Sequence, residues 1–223
     1  MLKAAIFDLD GTLLDSMSVW KKIDIDFLAK RGLPVPETFF DDISALSARE
    51  TAEHTIDLFA MTESVEDLLR EWHDMAIHEY SYNIRLKPFA KEYLEQLKLH
   101  KIKLGTATSL SKDLAEPVLR NNGIYHLFDI LSFTDEVERG KKFPDIYLLA
   151  AQRLDVPPPH CVVFEDVPQG IASAKNAGMK TVGVYDEAFR EHWPQIQKTA
   201  DACLYDFREN PFRLVTSSDR AKE

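Results

Sequence analysis

The sequence predicts an α/β protein: a doubly wound parallel sheet with a second, all-α domain inserted after its first strand. Three observations carry this. From residue 88 onward amphipathic stretches alternate with short apolar runs, the pattern of strands joined by helical crossovers that cover both faces of a sheet. One apolar run, AAIF at residues 4–7, stands alone at the start. Between them, over residues 15–87, apolar residues recur every three or four positions, the period of helices packed on helices.

The elements follow in order. AAIF has the length of a strand buried on both faces, and Gly11 and Thr12 punctuate the turn after it. VWKKIDIDFLAKRG (19–32), ISALSARETAEHTIDLFA (43–60) and VEDLLREWHDMAIHEY (65–80) read as helices, the first ended by Gly32 and Pro34. Trp72, Phe27 and Leu58 are expected to pack them together, with Lys21 and Lys22 on a solvated face. After Pro88 come helix 89–100, strand 102–108, a helical region at 113–123, strand 128–133, helix 144–154, strand 161–166, helix 168–178 and strand 180–184. The tail TSSDRAKE is expected to fray. The predicted domains are therefore a core of residues 1–14 and 88–223 and a helical insert of residues 15–87, its connections near 14–18 and 81–88.

At 223 residues, 45% hydrophobic and 29% charged, the chain has an ordinary globular composition. A net charge of −10 argues against nucleic-acid polymers and anionic membranes, while leaving room for a local basic pocket and a small anionic substrate. Cys161 and Cys203 read as two buried free thiols, which suits a reducing compartment. No apolar stretch reaches the roughly 18 residues of a membrane span, and Asp8 cuts the apolar start too early for a signal peptide. The expected setting is the cytosol, and the expected state a monomer.

The apolar first strand ends in FDLDGT, so two aspartates, Asp8 and Asp10, point the same way where a chain extends. Two like charges about 4 Å apart repel by roughly 1 kcal/mol in water and 4 near a protein surface, so something must compensate them. Glu165 and Asp166 end the strand CVVFED in the same manner. Ligands of open α/β sheets bind outside the carboxyl ends of the strands. Four carboxylates from remote segments gathered there point to a hard divalent cation, and Mg²⁺ fits best because it takes oxygen ligands and keeps waters that a substrate phosphate displaces. Thr106 ends a third strand and offers a hydroxyl with neighbouring backbone N–H groups; Lys141, in GKKFPD, adds positive charge. Acids, a hydroxyl and a lysine around one metal suit phosphoryl transfer, where the protein positions groups and stabilises charge. Each feature alone has a plainer role, as turn, cap or solvated charge; their joint order at one sheet edge is what selects the chemistry.

These residues resemble the haloacid dehalogenase superfamily of phosphotransferases, in particular its phosphatase and β-phosphoglucomutase-like branch. FDLDGTLLDS is similar to its first motif, the Thr106 strand to its second, Lys141 with KxxPD to its third and FEDVPQGIASAKNAGM to its fourth. The resemblance spans nearly the whole chain and implies a Rossmann-like core with a helical cap domain. It implies that Asp8 is a nucleophile forming an aspartyl-phosphate and that Asp10 is the general acid and base. It further implies Mg²⁺ on Asp8, Asp166 and the Asp10 carbonyl with Glu165 near by, and phosphate oxygens held by Thr106, the Ala107 N–H and Lys141. Asp10 argues against dehalogenases and phosphonate hydrolases, which lack an acid there.

Within that family the chain reads as a phosphatase of a small phosphomonoester such as a sugar or nucleoside phosphate. Arg49, in SARE, matches an arginine that the sugar-phosphate mutases place in the cap, where it would touch substrate; pairing with Glu53 four residues on is the structural alternative. The mutase likeness thins at Trp20, where those enzymes carry histidine, and at Leu46, where they carry glycine. Lys142 and Phe89 also depart from the family's usual proline and glycine. A β-phosphoglucomutase-type mutase is the runner-up. A receiver-like phospho-accepting module is further off, because receivers place their acidic pair before the acceptor strand and carry no helical insert.

Overall fold

A computed structural model describes residues 2–43, 46 and 48–209. The chain divides into two compact units, Met1–Met17 with Ile84–Glu223, and Ser18–Asn83. The second lies inside the expected 15–87 because the flanking residues β2 (Leu14–Asp15) and β3 (Arg85–Leu86) pair as a short antiparallel ribbon within the first unit.

In the first unit, β1 (Ala4–Phe7) is followed after the insert by α5 (Ala90–Leu99), β4 (Lys103–Thr106), α6 (Lys112–Asn121), α7 (Asp145–Leu154), β5 (Cys161–Glu165), α8 (Pro168–Asn176), β6 (Lys180–Val184), α9 (Trp193–Thr199) and β7 (Ala202–Leu204). The five strands form one parallel sheet in the order β4-β1-β5-β6-β7. Strand alternation explains the doubly wound layering. Ala4, Ile6, Cys161 and Val163 pack with Ile146, Ala150 and Leu154 of α7 and Ala174 of α8. Residues of opposite parity serve another cluster: Phe7 stacks on Phe164 at 4.4 Å, and Tyr93 of α5 meets Phe164 edge-on. The chain leaves β1 to one side for β4 and returns on its other side for β5, so the order reverses at β1. That reversal opens a crevice at the carboxyl ends of these strands.

Residues 128–133 depart from the expected strand. They run beside β4 but make only the isolated bridges Gly105↔Ile130 and Thr108↔Phe133. The reason is local: the Asp129 carboxylate takes the Leu104 N–H at 2.7 Å, a donor that a regular ladder would give to a carbonyl. Cys161 is buried and Cys203 only partly so, both as free thiols. Among the described residues no helix is long and apolar enough to cross a membrane. The tail TSSDRAKE lies outside them.

The second unit holds α1 (Val19–Lys30), α2 (Phe39–Ile43), α3 (Ala48–Phe59) and α4 (Val65–Tyr82). Residues 44, 45 and 47 of the helix expected at 43–60 lie outside the described residues. Val19, Ile23 and Phe27 are buried at helical spacing on α1, and Leu68, Trp72, Ala76 and Tyr80 on α4. Phe27 and Trp72 meet edge-on at 5.5 Å. Leu58 is instead 46% exposed, so it is not the packing residue the periodicity suggests. Ser64 and Asp67 form a capping box that starts α4. Lys22 is tied to Asp26 and Glu79 rather than simply solvated.

Asp24 of α1 is half-buried and makes no hydrogen bond or ion pair among the described residues; burial pushes its carboxyl from 3.8 up to about 6. An acid whose folded pKa lies above its unfolded one costs stability once it ionises, so the native state loses ground as pH rises from about 4 to about 6 and stays penalised above. After allowance for partial exposure the penalty is roughly 1 to 2 kcal/mol. Asp24→Asn is expected to raise the urea midpoint at pH 8 and leave it unchanged at pH 4; equal shifts at both would show that charge burial is not the cause.

Candidate active site

The loop after β1 turns back on itself: the amides of Thr12, Leu13 and Leu14 all donate to the Leu9 carbonyl, at 2.9 to 3.2 Å. Gly11 sits at φ +69°, and a Cβ there would fall on the Asp166 carboxylate, so backbone conformation and space both require glycine. The turn places Asp8 and Thr12 against the end of β5. The Asp8 N–H donates to the Phe164 carbonyl at 3.1 Å and the Thr12 hydroxyl to Asp166 Oδ1 at 2.9 Å. The Ser16 hydroxyl donates to Asp10 Oδ1 at 2.6 Å.

Carboxylate oxygens of Asp8, Glu165 and Asp166 come within 4.8 Å of one another, and all three residues are buried. Lys141, in the segment leading to α7, joins two of them. Its Nζ pairs with Asp8 Oδ1 and, at 2.8 Å, with Glu165 Oε1, which also accepts the Tyr147 hydroxyl at 2.8 Å. Burial opposes the Lys141 charge, but Asp8 and Glu165 outweigh it and raise its pKa. Burial pushes Glu165 up to about 7 against the pull of Lys141, and raises Asp166 with Asp8 and Glu165 adding to the effect. Glu165 Oε2 is buried with no hydrogen-bond partner among the described residues. A hard divalent cation fits this set: three clustered oxygen donors, two of which burial and their neighbours drive toward holding protons, and one orphaned oxygen.

A cavity of about 210 Å³ opens beside the cluster. Asp8, Asp10, Lys141 and Asp166 line it with Thr108 and Ser109, and Met17, Val167 and Phe189 supply apolar wall. Glu165 lies behind, fully buried. Two expected phosphate contacts are displaced. The Thr106 hydroxyl is fully buried and accepts the Ser132 N–H at 3.1 Å, and the Ala107 N–H donates to the Phe7 carbonyl at 2.9 Å. Both are used by the sheet, and the groups at the cavity come two residues later. The Thr108 hydroxyl accepts the Leu110 N–H and keeps its own hydrogen to donate, while the Ser109 side chain, exposed in the loop before α6, is the more accessible of the two donor candidates. Arg49 belongs to the helical unit, where it pairs with Glu66 at 2.8 Å rather than with Glu53. Sequence reasoning missed Tyr147, Thr12 and Ser16, which hold the acids, and Phe189 in the wall; no motif spacing marks Tyr147 or Phe189, whereas Thr12 and Ser16 lie inside DGTLLDS.

Parallel strands, a reversal of strand order and, at that reversal, an aspartate flanked by acids and a lysine define an α/β protein with a carboxylate-centred site at its switch point. Residues 5–184 match the haloacid dehalogenase-like hydrolase family, to which this chain belongs. It is 32% identical over 181 residues to a phosphorylated carbohydrates phosphatase of Thermotoga maritima, covering 81% of this chain and 84% of that one. Over 209 residues it is 33% identical to a validoxylamine A 7'-phosphate phosphatase of Streptomyces hygroscopicus subsp. limoneus, covering 94% and 96%. A crystal structure of a Thermotoga maritima protein described as a candidate β-phosphoglucomutase superposes with a TM-score of 0.82 at 30% identity, over 91% of this chain and 94% of that one. The chain is an enzyme of this family, a phosphoric monoester hydrolase.

Gly170 of α8 lies against the acid cluster, and a Cβ there would sit 2.5 to 2.7 Å from the Glu165 carboxylate. That carboxylate cannot swing away without breaking its bonds to Lys141 and Tyr147. Gly170→Ala is expected to cost about 1 to 3 kcal/mol of stability and to lower activity with it; wild-type melting and turnover would show that the cluster yields freely.

Proposed function

We propose that the protein is a Mg²⁺-dependent phosphatase of small phosphomonoesters, sugar or nucleoside phosphates, working through phosphoryl transfer to Asp8. The observation that carries this is Asp8 itself: a buried carboxylate paired with Lys141, clustered with Glu165 and Asp166, and opening beside Asp10 onto one cavity. Asp8, Asp166 and the Asp10 carbonyl, backed by Glu165, would hold Mg²⁺, which supplies charge neutralisation when bound.

In the first step an Asp8 oxygen bonds to phosphorus while the bond from phosphorus to the alcohol oxygen breaks, and Asp10 gives that oxygen its proton. In the second, water attacks phosphorus, Asp10 takes a proton from it, and phosphate leaves Asp8 as the free carboxylate. Lys141 balances charge on the phosphoryl oxygens, with Ser109 as the donor in place of Thr106 and the Ala107 N–H. The Ser16 hydroxyl orients Asp10 between its two proton transfers. Two free thiols and the lack of any membrane-length helix among the described residues are compatible with a cytosolic monomer acting on a phosphorylated metabolite.

The runner-up, a β-phosphoglucomutase-type mutase, draws on the resemblance to the Thermotoga maritima structure and on Arg49. Supplying β-glucose 1-phosphate with a bisphosphate primer separates the two, because a mutase returns isomer where a phosphatase returns free phosphate.

A screen of phosphorylated metabolites is expected to show phosphate release only with Mg²⁺ and no measurable turnover by Asp8→Asn. Asp10→Asn should fall by about 10²- to 10⁴-fold in kcat. Unchanged turnover by Asp8→Asn would refute the nucleophile assignment. A paired test addresses the phosphate donor. Ser109→Ala is expected to lower kcat/KM by about 10²-fold, whereas Thr106→Val should cost about 1 to 3 kcal/mol of stability through the orphaned Ser132 N–H and leave kcat/KM nearly intact. The reverse pattern would restore Thr106 to the site.

A further inference from the structure

A second cavity, of about 290 Å³, lies wholly within the helical unit. Trp20, Ile23, Leu46, Thr51 and Trp72 line it, and the one charged group among its lining residues is Asp24. The walls are apolar and aromatic, so a carboxylate set among them is poorly solvated, and the raised pKa of Asp24 reflects that. A charge in such a place is ordinarily paired. Among the described residues no partner is supplied from within. Its lysine neighbours in sequence are committed elsewhere: Lys21 Nζ lies 4.6 Å from the Phe40 ring, and Lys22 is bonded to Asp26 and Glu79. Asp24 itself makes no hydrogen bond or ion pair among the described residues, and burial is what moves its pKa.

We propose that this cavity binds a small organic ammonium ion, its charge set against the Asp24 carboxylate and its hydrocarbon against the wall that holds Trp20 and Trp72. Aromatic faces attract cations as well as hydrocarbon, so the two tryptophans and the acid favour one and the same ligand class. A volume near 290 Å³ is at the lower end of small-molecule sites, which suits a compact amine rather than a peptide or nucleotide. A neutral alcohol of equal shape would gain the hydrocarbon contact and leave the carboxylate unpaired.

The inference does not rest on the phosphatase reading, and its test uses the full-length Asp8→Asn protein, without Mg²⁺ or phosphate, so that catalysis is absent. Benzylamine and benzyl alcohol are titrated at pH 7.5 by calorimetry. The amine is expected to bind at least tenfold more tightly than the alcohol. Adding Asp24→Asn should weaken the amine at least tenfold and change the alcohol by less than twofold. The melting temperature of that variant shows that it folds, and Trp20→Ala, at a side chain already 47% exposed, should weaken the amine several-fold without loss of fold. Equal affinities for amine and alcohol, an amine affinity indifferent to Asp24→Asn, or no amine binding at millimolar concentration would each overturn the proposal. A last arm, with wild-type enzyme turning over a phosphomonoester, separates the sources of the ammonium group. A rise in KM alone assigns it to the alcohol part of the substrate, and any other response to a separate small molecule.

Discussion

The first unit depends on keeping three carboxylates together at the carboxyl edge of its sheet. Asp8, Glu165 and Asp166 are all buried, and left alone they would repel and take up protons. Lys141 is the protein's main answer, since among the described residues it alone pairs with both Asp8 and Glu165. Thr12 and Tyr147 add one hydroxyl each, to Asp166 and Glu165. The compensation is incomplete: Glu165 Oε2 finds no partner among the described residues and Asp166 stays raised. A site that its own side chains only partly neutralise has the chemistry to accept a cation, which is what the proposed phosphoryl transfer to Asp8 calls for.

Surrounding backbone features follow from the same crowding. Gly11 lets the β1 loop fold back beneath Asp166, and Gly170 lets α8 approach Glu165. The reversal of strand order at β1 supplies the crevice that these loops line. Strand, turn, glycine and acid therefore form one arrangement, in which moving any member exposes or orphans a charge.

What was legible in the sequence divides along physical lines. Asp8, Asp10, Glu165 and Asp166 could be found because carboxylates at the ends of apolar strands conflict with burial and announce themselves as charge. The alternation of strand and helix likewise follows from periodicity, which one chain carries in full. Hydroxyls carry no such conflict. Thr106 and Thr108 share a parity along the chain, and only the pairing of residues 130–133 beside β4 decides that Thr106 serves the sheet while the loop beyond it reaches the cavity. Partners distant in sequence were likewise hidden: Arg49 chooses Glu66 over Glu53 because α4 passes close to α3, a tertiary fact. Leu58 shows the converse error, an apolar residue on the helical period that faces outward.

The two units treat buried negative charge in opposite ways. In the first, a lysine and two hydroxyls converge on the acids, so the chain itself answers most of the charge and leaves Glu165 Oε2 without a partner among the described residues. In the second, Asp24 sits beside aromatic walls with its neighbouring lysines drawn off to Phe40, Asp26 and Glu79. Such a side chain lowers the stability of the fold that contains it, and an asparagine of the same size would remove the charge penalty. A carboxylate retained against its own fold is most simply explained by a positive group that arrives from outside. On that view the acids of the sheet unit are answered in large part from within, and the acid of the helical unit only by what binds there.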